Sequence, residues 1–155
     1  MYTYFVIVAC EIFTEMGKKD ATIINIMAEH NKIGKIGEEI ATKYLLDKGF
    51  HIIERNYLCK IGEIDIISHE KNSLIFIEVK SKKVKSFSEV KDLYYKPEDN
   101  MSYKKKLRMK RAIRHYLSFK KIDEYTKDIE VVLVVVFIEE ITKKAKIRLY
   151  RNIIL

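Results

Sequence analysis

The chain has 155 residues, 48% of them hydrophobic and 34% charged, with a formal net charge of +8. That balance describes one globular, soluble domain able to bury a core, and its basicity calls for a polyanionic partner. It excludes a zinc or disulfide framework, since Cys10 and Cys59 are far apart and His30, His51, His69 and His115 show no ligand spacing. A membrane helix is excluded too: the longest apolar run, Val131 to Ile138, is eight residues, against the ~20 needed. Cysteine usage fits a reducing, cytoplasmic setting. There is neither a Ser-His-Asp pattern nor a Gly-rich phosphate loop.

The readable pattern begins near Gly34, so residues 1–33 form an N-terminal extension and 34–155 a single domain. Tyr2–Cys10 is apolar but has no basic region before it and no cleavage site after it. Met27 is an alternative start, which intact-mass analysis would exclude by finding native protein that begins at Met1. The first clear element is a helix over Lys35–Lys48, closed by Gly49. Its buried arc is Ile36, Ile40, Ala41, Tyr44 and Leu45. Glu39 lies four residues from both Lys35 and Lys43 and belongs to a solvent face. Glu38 borders the buried arc, where it can either reach a site on the sheet or simply favour the helix N-terminus.

Phe50–Asn56 reads as a strand, followed by a hairpin of two more, 61–68 and 74–80, joined by the polar Glu70-Lys71-Asn72-Ser73. If His69 pairs with Leu74, Asp65 falls opposite Glu78 at roughly 5 Å between Cβ atoms. Lys80, two residues on, shares their face. Carboxylates that close repel each other, and a divalent cation with oxygen ligands is their natural occupant. The same residues also fit a solvent-facing hairpin with surface ion pairs.

Residues 81–102 are polar, hold the only proline, Pro97, and read as a long loop. A second helix spans Ser102–Lys121, with Leu107, Met109, Ala112, Ile113, Tyr116 and Leu117 inward. Between Tyr103 and Lys121 it carries nine Lys or Arg and no acid, which favours a phosphate backbone over an ordinary solvated face. Ile129–Ile138 is an interior strand and Lys146–Arg151 a final edge strand. The order is αβββαββ, an α/β domain.

Together, Gly34-x-x-Gly37-Glu38-x-x-Ala41-x-x-Tyr44-Leu45, Gly49-Phe50, Arg55-Asn56, Gly62-Glu63-Ile64-Asp65 and Glu78-Val79-Lys80 resemble the bacterial YraN, or UPF0102, family. Its members are similar to archaeal Holliday-junction resolvases. The resemblance implies a restriction-endonuclease-like PD-(D/E)xK fold, a mixed central sheet flanked by helices. It implies a metal-dependent endonuclease acting on DNA, with branched or junction DNA as a candidate substrate and Mg²⁺ or Mn²⁺ as cofactor; symmetric cutting of two strands would favour a homodimer. The resemblance makes Glu38, Asp65, Glu78 and Lys80 catalytic, the three acids holding metal and Lys80 positioning the attacking water. Lys82, Lys83, Lys105, Arg108 and Arg111 become the nucleic-acid contacts. Two other readings stand beside it: a non-catalytic nucleic-acid-binding protein with this fold, and a basic protein–protein adaptor. The complete acid and lysine set weighs against the first; the adaptor predicts weak salt dependence of partner binding and no metal affinity.

Overall fold

The computed structural model describes residues 4–8, 23–88, 90, 101–123 and 128–155. One six-stranded sheet carries a helix on each face. In chain order the elements are β1 (Tyr4–Val8), α1 (Ile23–Asp47), β2 (His51–Cys59), β3 (Gly62–Glu70), β4 (Ser73–Val84), α2 (Tyr103–Phe119), β5 (Asp128–Glu139) and β6 (Ala145–Tyr150). Strands run in the order β1-β6-β5-β4-β3-β2. Among the described residues only β4 and β5 pair in parallel, from Ser73↔Asp128 to Val84↔Glu139. From α1 onward this is the restriction-endonuclease-like αβββαββ core.

The parallel pair is buried on both faces, which explains the unbroken apolar run of β5. On one face Ile40, Ala41, Tyr44 and Leu45 of α1 cover Ile75, Ile77, Val132, Val134 and Val136. On the other, Met109, Ala112, Ile113, Tyr116 and Leu117 of α2 cover Ile67, Phe76, Leu133 and Val135. Each fully buried Val, Leu, Ile, Phe or Met side chain contributes roughly 1.5–3 kcal/mol. Helix α1 ends in a Schellman motif: Gly49 at φ 87° sits between Phe50 N–H bonded to Leu45 O and its own N–H bonded to Leu46 O, both at 3.0 Å. Ser102 caps α2, its hydroxyl accepting from Lys105 N at 3.3 Å.

Four expectations change. Helix α1 begins at Ile23, not Lys35, because no Gly or Pro interrupts residues 23–33. The β3–β4 register is the expected one, His69↔Leu74, but Glu70↔Ser73 also pair, leaving a two-residue turn with Lys71 at φ 53°. Ser81–Val84, expected in a loop, extends β4 against β5; Pro97 lies outside the described residues. Strand β6 is not an edge, since β1 pairs with it from Tyr4↔Leu149 to Val8↔Ala145. Its charged residues Lys146 and Arg148 are buried: Arg148 donates to Val90 O at 2.6 Å and lies 5.5 Å from the Phe137 ring.

Candidate metal centre

The sheet opens at one residue. The β3–β4 ladder stops at Ile66↔Ile77, and the β2–β3 ladder passes from Arg55↔Ile66 to Tyr57↔Ile64, skipping Asn56 and Asp65. Asn56 takes φ 53°, a left-handed conformation that Asn tolerates. Across this break β3 changes face: Ile64 lies in the α2-side core and Ile66 in the α1-side core. Asp65 is thereby released from both neighbours, and its Oδ2 accepts the Val79 N–H at 2.7 Å. A carboxylate occupies the ladder position that a carbonyl would fill.

Alternation along β4 places Leu74, Phe76, Glu78 and Lys80 on the α2 side. Glu78 is 0% exposed. Lys80 Nζ stands 2.7 Å from its Oε1 and Lys105 Nζ, from α2, 3.0 Å from its Oε2. Neither oxygen receives a well-directed hydrogen bond, so the ammonium groups act on it chiefly as charges. A buried carboxylate held this way retains lone pairs for another ligand. Burial, then repulsion from Glu78, pushes the Asp65 carboxyl up to about 7, against opposing pulls from the Val79 N–H and Lys105. The Lys105 ammonium is opposed by burial, but Glu78 outweighs this, helped by Asp65 and Glu63, and its pKa rises.

Glu38 reaches this group only as a charge, adding to the upward push on Asp65. Its helix seats tightly on the sheet: a Cβ at Gly37 would lie 1.6 Å from Ser81 Oγ. Glycine there lets α1 approach β4 and brings the next residue, Glu38, toward the break. Glu39 pairs with Arg55 of β2 at 2.6 and 3.2 Å rather than with the helix lysines the sequence suggested. Arg55 holds its carboxyl below the usual range.

Of the expected phosphate-binding residues, Arg108 and Arg111 are exposed on α2, and Lys82 and Lys83 lie at the exposed end of β4. Lys105 has a different place, turned in among the acids. Sequence reasoning missed this because one lysine in a basic run looks like any other. The available signal was its spacing: Lys105 is four residues before the buried Met109, on the same arc.

Among the described residues, no three His, Cys, Asp or Glu side chains converge as a ready-made metal cluster. The donor set is a pair, Asp65 and Glu78. A repelling pair of carboxylates, Glu78 buried and without directed hydrogen bonds and Asp65 half-buried, fits Mg²⁺ or Mn²⁺; Mg²⁺ is usually held by one or two carboxylates with waters and phosphates.

Among the described residues no helix is long and apolar enough to cross a membrane. The chain is similar to a UPF0102 protein of Syntrophus aciditrophicus, 35% identical over 108 residues, which are 70% of this chain and 80% of the relative. A UPF0102 protein of Alkaliphilus oremlandii is 34% identical over 123 residues, 79% of this chain and 97% of its own. One from Phocaeicola vulgatus is 44% identical over 91 residues, 59% and 69% of the respective chains. The family described as "Uncharacterised protein family UPF0102" matches residues 37–134, a span that holds Glu38, Asp65, Glu78, Lys80 and Lys105. The chain belongs to the UPF0102 family.

Proposed function

We propose that this protein is a metal-dependent endonuclease that hydrolyses phosphodiester bonds in DNA, with branched or junction DNA as the candidate substrate. The observation that carries the reading is the buried Glu78 carboxylate, without a directed hydrogen bond, facing Asp65 at a break in the sheet. Lys80 and Lys105 offset the charge of Glu78, but two acids set this close at a buried position are costly and are retained where chemistry needs them. Asp65 and Glu78 would hold Mg²⁺ or Mn²⁺, with Glu38 supporting the site by charge. When bound, the ion supplies Lewis-acid chemistry: it neutralises charge at the scissile phosphate and lowers the pKa of the attacking water.

The chain's own residues do the rest. Lys80, half-buried and tethered to Glu78 at 2.7 Å, holds a positive charge where the pentavalent phosphorus develops negative charge. Lys105 is the second such charge, held on the opposite oxygen of Glu78. The Val79 N–H fixes one oxygen of Asp65 and so the direction of the other. Exposed Lys104, Arg108, Lys110, Arg111 and Arg114 on α2 bind flanking phosphates, placing the strand without reading its sequence.

The test is cleavage of labelled duplex, single-stranded, flap and four-way-junction DNA in Mg²⁺, Mn²⁺ or EDTA, with Asp65→Asn and Lys80→Ala in parallel. Cutting that needs metal and is lost in both variants is expected, with DNA binding intact in Asp65→Asn. Binding without cutting under every condition would overturn the catalytic reading in favour of a non-catalytic nucleic-acid-binding protein.

A further inference from the structure

Next to the acid pair lies a concavity of about 370 Å³ lined by Leu58, Lys60, Ile61, Glu63, Lys105 and Arg108. One wall is the tip of the β2–β3 hairpin, a two-residue turn of Lys60 and Ile61 closed by the Cys59↔Gly62 pair. The other is the first half of α2. The two walls meet because residue 62 is glycine: a Cβ there would lie 3.0 Å from the Arg108 carbonyl oxygen. The hairpin therefore rests directly on the helix backbone.

Three features of this concavity point to an occupant. It communicates with the acid pair through one side chain, since Lys105 Nζ is 3.1 Å from Glu63 Oε1 and 3.0 Å from Glu78 Oε2. Its charge is net positive, with Lys60, Lys105 and Arg108 against Glu63. Its rim is apolar where solvent-facing turns are normally polar: Leu58 is 76% exposed and Ile61 42% exposed. The volume lies in the range of roughly 300–1,000 Å³ that accommodates small organic groups. A cationic concavity with an apolar rim, one side chain away from a phosphate-cleaving centre, matches a nucleotide whose base has left the stack.

We propose that the β2–β3 tip is an apolar wedge and that the concavity beside it receives an unpaired nucleotide of the strand held at Asp65 and Glu78. The inference rests on the nucleic-acid reading above and narrows its substrate to DNA with an unpaired nucleotide beside the cut bond. Leu58 and Ile61 fill the gap left in the stack, as apolar wedges do elsewhere. Lys60 and Arg108 take the adjoining phosphates. Glu63 offers an acceptor to an exocyclic amine of the base.

The experiment uses the full chain in EDTA, so that nothing is cut. Its probes are a duplex with one extrahelical 2-aminopurine and the same duplex fully paired. Affinity is read by anisotropy and stacking by 2-aminopurine fluorescence. The wild type should prefer the bulged DNA by about tenfold, with a fluorescence change on binding. Leu58→Ala/Ile61→Ala and, separately, Leu58→Ser should lose the preference while holding the paired duplex as before. Both positions are exposed, so thermal melts should be unchanged. Equal affinity for the two DNAs, or a preference that survives both variants, would overturn the wedge. Parallel assays in Mg²⁺ separate this inference from the nuclease itself: cutting without preference refutes only the wedge, and preference without cutting refutes only catalysis.

Discussion

The two ends of the β3–β4 pair carry the same ingredients and use them differently. At the turn end, Glu70 and Glu130 share Arg151, whose guanidinium makes bonds of 2.6–2.8 Å to both carboxylates. At the open end Lys105 acts on both Asp65 and Glu78, Lys80 pairs with Glu78 alone, and Glu78 receives no well-directed hydrogen bond. The turn-end cluster is partly exposed and matched donor to acceptor, as a structural tie should be. The open-end cluster is deeper, with two acids repelling each other and a ladder that stops short of them. Buried charge left short of directed partners marks a working site more reliably than the number of charges does.

The contrast predicts opposite consequences for the two ends. Largest is the effect on chemistry: Asp65→Asn or Glu78→Gln should lower single-turnover cleavage by about 10³-fold or more. Arg151→Ala should leave cleavage per folded molecule within about twofold. A comparable loss from Arg151→Ala would dissolve the distinction between the ends.

Stability should show the reverse. Arg151→Ala leaves Glu70 and Glu130 without their cation and should cost about 1–2 kcal/mol in denaturant unfolding. An effect of opposite sign, confined to high pH, is expected for Asp65→Asn in metal-free protein. The fold raises the Asp65 pKa from 3.8 to about 7, so its contribution is intact at low pH and is lost as pH rises through that window. The variant should match wild type near pH 4 and exceed it by about 1–3 kcal/mol at pH 8 in EDTA melts. Equal melting at both pH values would show that Asp65 is not destabilised by its surroundings.

Much of this was legible before the structure. Register followed from where the turn had to be: pairing His69 with Leu74 gave the ladder that brings Asp65 and Glu78 together. One end of each helix was legible, the close of α1 at Gly49 and the start of α2 at Ser102. What could not be read was long-range. Nothing local in Tyr4–Val8 announces a partner at Ala145–Leu149, so an apolar segment looked like an extension and β6 like an edge. Lys105 was visible as a charge but not as a neighbour of Glu78, since only packing of α2 onto the sheet decides which lysine of the run turns inward. The break at Asp65 was equally hidden: it arises from two strands changing face together, at Asn56 and Asp65, and neither residue alone signals it.

The most direct test of the central claim, that the open end of this pair is a divalent-cation site, is calorimetric titration of Mn²⁺ at pH 8. Wild-type protein, Asp65→Asn and Arg151→Ala would be compared. The account predicts binding by wild type and Arg151→Ala, loss in Asp65→Asn, and a wild-type affinity that weakens as pH falls below about 7. Mn²⁺ bound equally well by Asp65→Asn, or not bound by the wild type, would contradict it.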